Sequence, residues 1–131
     1  MKSDDTSQKE NRIKTLKPGR HTAKIKNLVD RVLDGPGQFD PQMRRSVAQK
    51  VAAHAGALSK DDVQLPPEIN SYVDKIALHA YRVTDADIEA LRAAGYSEDV
   101  IFEMTVSAAL GAGMARLKSG LTALRGGEDA A

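Results

Sequence analysis

Lys75 and His79 are four residues apart, the spacing that sets two side chains one turn apart on the same face of a helix. Such a pair can bind an anion or share a proton near neutral pH, where imidazole titrates. The structural alternative is a histidine at a helix end beside a solvated lysine. Glu103 is the second candidate. It stands in Ile101-Phe102-Glu103-Met104, and a carboxylate buried among apolar neighbours must be paired or protonated, because an isolated buried charge is costly. Arg116, Lys75, Arg82 or His79 would be its partner, and a carboxyl held protonated at neutral pH would serve as a general acid. A structural ion pair is the competing reading.

Thr84, Asp85 and Asp87 form a short polar cluster able to line a pocket, although Thr84-Asp85-Ala86-Asp87 also reads as a capping box with Asp in place of Glu. Tyr72, Tyr81 and Tyr96 each offer a phenol, but tyrosine at helical spacing is commonly a core residue with its hydroxyl at the rim. His21 and His54 have no neighbours at metal-ligand spacing, and no HxxxH or HExxH motif occurs, so no metal is expected. Phosphate-binding glycine loops and the GxSxG elbow are missing as well. With no cysteine in the chain, disulfides, thiolate metal sites and cysteine nucleophiles are excluded.

The elements that must position these residues are helices. Ile25, Leu28, Val29 and Val32 recur at helical spacing from about His21 to Asp34, where Gly35-Pro36-Gly37 stops the segment. Asp40-Pro41 starts a second helix, expected to reach about Ala57, with Met43, Val47, Val51 and Ala55 inward and Arg44, Arg45, Gln49 and Lys50 away from the core. Leu58 to Leu65 reads as a linker. Pro66-Pro67 opens a third helix, carrying Ile69, Tyr72, Val73, Ile76, Ala77 and Ala80, which is expected to be central and to end near Val83.

A short fourth helix runs to Ala94, ended by Gly95 in a left-handed conformation. Ser97 with Glu98 and Asp99 then opens the last helix, expected to continue to about Leu124. That helix has two apolar stripes, one of Val106, Leu110, Gly113, Leu117, Leu121 and Leu124, the other of Ile101, Met104, Ala108, Ala112 and Ala115. Its small residues from Ala108 to Ala115 suit either a tight crossing within the chain or a subunit interface.

The 131 residues and 41% hydrophobic content suffice for one domain, expected over 21–125, with a basic flexible arm at 1–20 and a flexible tail at 126–131. Residues 1–26 hold eight Lys or Arg against three acids, a surplus of +5, while the remainder carries −4. The arm's basic residues have no aromatic or Asn/Gln-rich readers among them, so nucleic acid is not an expected partner. The polar start and the lack of an uninterrupted apolar run of membrane length point to a cytoplasmic protein with no membrane partner. With two Phe, three Tyr and no Trp, the core must be aliphatic, and association into a homo-oligomer would help to stabilise it.

Pro67-Glu68, the Tyr72 to Arg82 segment, Ala90-Leu91-Arg92-Ala93-Ala94-Gly95-Tyr96-Ser97-Glu98-Asp99 and Ile101 to Ala109 resemble the alkylhydroperoxidase D-like superfamily, which includes carboxymuconolactone decarboxylases. The resemblance covers roughly half the chain, from about Leu65 to Leu124. It implies an all-α fold of five to six helices assembled as trimers or hexamers. With Gly95 aligned to the family's glycine, the peroxidase glutamate falls on Glu68, the two cysteines on Ala80 and Val83, and the histidine on Asp87. Methyl and isopropyl groups cannot reduce a peroxide, so the thiol peroxidase reaction is excluded. What the resemblance leaves is a cofactor-free small-molecule-binding or scaffold protein, with a lyase, decarboxylase or isomerase acting on a small organic acid as the alternative. In the enzymatic reading His79, Glu103 and Glu68 are the catalytic candidates, and Lys75, Arg82, Thr84, Asp87 and Tyr81 bind substrate.

Overall fold

The longest apolar segment of the chain is also its longest helix, and the core is built on it. The computed structural model describes residues 21–54 and 63–129, and every regular element among them is helical. In chain order these are α1 (Thr22–Asp34), α2 (Pro41–His54), α3 (Pro67–His79), a 3-10 turn (Ala80–Arg82), α4 (Asp85–Ala93) and α5 (Glu98–Asp129). The arm, the end of the second helix beyond His54 and most of the expected linker lie outside the described residues.

The chain falls into two compact units, residues 1–31 and residues 32–131, with the boundary inside α1. In the first unit α1 is a continuous helix whose Ile25, Leu28 and Val29 recur at helical spacing. The second unit holds α2 to α5 and the loop that leads into them.

Three of the helix ends in the second unit have a clear chemical cause. Asp40 accepts the free N–H of Gln42 at 3.0 Å, and Pro41 takes the first helical position, where its missing donor costs nothing. Ser97 Oγ accepts from the Val100 N–H at 3.2 Å at the head of α5. Gly95 has φ +100°, and the chain leaves α4 with Gly95 N–H donating to Arg92 O and Tyr96 N–H donating to Leu91 O, the paired bonds of a Schellman motif. Buried Leu91 and half-buried Tyr96 supply the apolar contact that goes with it.

The core joins Val47 and Val51 of α2, Ile69, Tyr72 and Val73 of α3, Leu91 of α4 and Ile101, Met104, Ala108 and Ala112 of α5, with Phe39 from the preceding loop. The third helix touches α2, α5, the 3-10 turn and α4, and the main packing is α2 on α5. Gly111 makes that possible: a Cβ there would lie 2.8 Å from Ala48 Cα, so only a glycine lets the two backbones approach this closely.

Three expectations change. Arg44, expected to point away from the core, is 3% exposed. The third helix loses α-helical geometry at His79, whose φ −147° and ψ 56° hand the chain to the 3-10 turn. The last helix runs five residues past Leu124, to Asp129.

Candidate functional site

Lys75, Asp87 and Thr84 meet where α3 faces the start of α4. Lys75 Nζ donates to both oxygens of Asp87, at 3.0 and 2.9 Å, and Asp87 Oδ2 also accepts the Thr84 N–H at 2.8 Å and the Thr84 hydroxyl at 3.3 Å. The lysine hydrogen bond, followed by the Thr84 amide, holds the Asp87 carboxyl below the usual aspartate range. Asp87 sits at the third position of α4, so it completes the cap that its sequence pattern announced while also binding a cation from another helix. Lys75 is thereby committed to Asp87, and the expected pairing of Lys75 with His79 does not form.

His79 turns to its own side of the 3-10 turn. Its ring meets Tyr81 edge-on at 5.9 Å between centroids, and the Arg82 guanidinium lies 5.6 Å from the centre of the same Tyr81 ring. Tyr81 is 79% exposed, so this stack is an open surface of one imidazole, one phenol and one guanidinium. It can meet an anion by charge and by hydrogen bonds from Arg82, with the ring as a platform.

Glu68 lies in the first turn of α3, where the helix dipole favours an acid, and accepts the Tyr96 hydroxyl at 2.8 Å. That bond, with one from the backbone, lowers the Glu68 carboxyl below the usual glutamate range, whereas burial, reinforced by Glu68, raises the Tyr96 phenol. Tyr72 is buried, its hydroxyl 2.7 Å from Thr105 Oγ1, which in turn donates to Ile101 O.

Glu103 bonds with none of the cations expected as its partners. Its carboxylate accepts the Gln38 N–H at 3.0 Å and the Phe39 N–H at 2.6 Å, pinning the loop between α1 and α2 to α5. A Cβ at Gly37 would lie 2.5 Å from Glu103 Oε1, so a larger residue there would have to displace the end of that side chain. Arg44 holds the same loop from the other side, donating to Phe39 O at 2.9 Å, Val32 O at 2.8 Å and Gly35 O at 2.8 Å. A buried guanidinium is thus satisfied by three main-chain carbonyls, and the Phe39 peptide is held by a carboxylate at one end and a cation at the other.

The candidates therefore separate into four bonded groups: Lys75 with Thr84 and Asp87, His79 with Tyr81 and Arg82, Glu68 with Tyr96, and Glu103 with the loop. Among the described residues no hydrogen bond or ion pair joins His79, Glu103 and Glu68 to one another. No group of three His, Asp or Glu able to hold a metal ion occurs among them either. The Arg44 and Gly37 roles were missed in the sequence, although Arg44 falls in step with Val47, Ala48 and Val51 on the face that is buried. No protein family, characterised protein or solved structure that was compared matches this chain.

Proposed function

We propose that the chain is a cysteine-less protein of the alkylhydroperoxidase D-like kind that acts by binding, as a small-molecule-binding or scaffold protein built as a homo-oligomer. The observation that supports this reading is the state of its acids. Glu103, the best general-acid candidate, is spent on two main-chain amides, and Glu68 and Asp87 are each held by a structural partner and kept ionised. A carboxylate that fastens a loop cannot deliver a proton without releasing it. The test is turnover by the full chain against a panel of lactones and small carboxylic acids, alongside His79→Ala. No turnover in either protein, with ligand binding retained, is the expected result. A turnover that disappears in a folded His79→Ala protein would sink the proposal.

A second reading, a cofactor-free lyase or isomerase acting on a small organic acid, is favoured by the exposed stack of His79, Tyr81 and Arg82. Arg82 would bind the substrate carboxylate and His79 would move the proton. It requires that Arg82→Ala abolish turnover while leaving the melting temperature unchanged.

A further inference from the structure

The core face of α5 carries Ile101, Met104, Ala108, Ala112 and Ala115. Among the described residues the opposite face is largely uncovered. Phe102 is 68% exposed, Leu117 40% and Leu124 75%, and a Cβ built at Gly113 or Gly120 would meet nothing within 4 Å. At about 100° per residue, Phe102, Val106, Ala109, Gly113, Leu117, Gly120 and Leu124 all point within roughly 40° of the Gly113 direction. They form one straight apolar stripe without a charge in it.

We propose that this stripe is a self-association surface, on which a second copy of the chain lays its own α5 antiparallel about a two-fold axis through Gly113.

Size complementarity within the stripe supports a second copy. Turned about Gly113, Phe102 faces Leu124 of the partner subunit, Val106 faces the partner's Gly120, Ala109 faces the partner's Leu117, and Gly113 faces its own counterpart. Two large residues meet at each end, a large residue meets a small one at each intermediate layer, and the two glycines let the backbones cross closely at the centre. Charge agrees with this orientation. The head of α5 carries Asp99 and its last described side chain is Arg125, and on one flank of the antiparallel pair Asp99 comes beside Arg125 of the partner subunit. A parallel arrangement would set like charges side by side.

The end of the helix also calls for a cover. No side chain from Arg116 to Arg125 is buried, so this end of the helix gains little from packing within the described residues. Glu98–Arg125 is long and apolar enough to cross a membrane by length and composition. Lipid is nevertheless the poorer occupant, because exposed Arg116 and Lys118 would enter hydrocarbon with the helix. The pairing does not depend on whether the chain turns over a substrate. It fits a dimer or a hexamer with two-fold axes, not an isolated trimer.

Sedimentation equilibrium of the full chain reads the outcome. An even multiple of the 14.1 kDa chain mass is expected. Gly113→Leu should return it to one half of that mass with an unchanged helical spectrum, since a Cβ there meets nothing within 4 Å among the described residues. Arg125→Asp should weaken association at least tenfold, and Asp99→Arg combined with Arg125→Asp should restore it. A monomeric or trimeric wild type, or association that survives Gly113→Leu, would overturn the proposal. So would a chain that is monomeric in water and binds phosphatidylcholine vesicles through this face.

Discussion

At Gly111 the backbone of α5 lies so close to α2 that a Cβ would come within 2.8 Å of Ala48 Cα, whereas at Gly113, two residues on, a Cβ would meet nothing within 4 Å. Both glycines weaken the helix by roughly 1 kcal/mol each relative to alanine. At Gly111 the close packing of two helices offsets that cost inside the chain. At Gly113 nothing among the described residues does. About 200° of helical rotation separates the two positions, so one points to the core and the other away from it. The same residue in the same helix is a packing requirement on one face and an unexplained loss on the other until a second surface is brought to it.

Gly111→Ala breaks the comparison on its closed side. The methyl group collides with backbone, which cannot swing away as a side chain can, so the chain should lose about 3 kcal/mol of unfolding free energy by urea titration. A loss below about 0.5 kcal/mol would show that α2 and α5 can part without consequence.

Glu103→Gln comes next, since it keeps the shape of the side chain but removes the charge that two amides share. A loss of about 1.5 kcal/mol is expected in the same titration, with the change in chemical shift concentrated at Gln38 and Phe39. An unaffected loop would mean that the carboxylate is not what holds it.

Gly113→Ala is the smallest effect and has the opposite sign. At a concentration low enough for the chain to be monomeric, stability should rise by up to about 1 kcal/mol. A fall would place an unseen neighbour against that face within the subunit.

The helices were largely legible because their ends are written in local chemistry. Asp40-Pro41, Thr84 with Asp87, Gly95 and Ser97 each act over one to five residues, and each does what its sequence context announced. The stripe of Ile101, Met104, Ala108, Ala112 and Ala115 was equally readable, since periodicity marks a buried face. Which of the two stripes of α5 would be covered was not, because both are apolar and the choice is made by α2. The same limit applies to the site. Glu103 was identified as a carboxylate in need of partners, but the partners are main-chain amides 64 and 65 residues away in sequence. Every residue has a backbone N–H, so no side-chain pattern can single these out. Arg44 was misplaced for a related reason: charge argues for the surface, and only the three carbonyls gathered around it make burial tolerable.

The grip on Phe39 has a further consequence, for the order in which the molecule assembles. The bond from Phe39 to Glu103 ties together positions 64 residues apart. Drawing the ends of a flexible chain of that length together costs about 4 kcal/mol of entropy. The packing of Ala48 against Gly111 closes a loop of almost the same length. The two contacts therefore share one closure: whichever forms first, the other follows at little further cost in entropy.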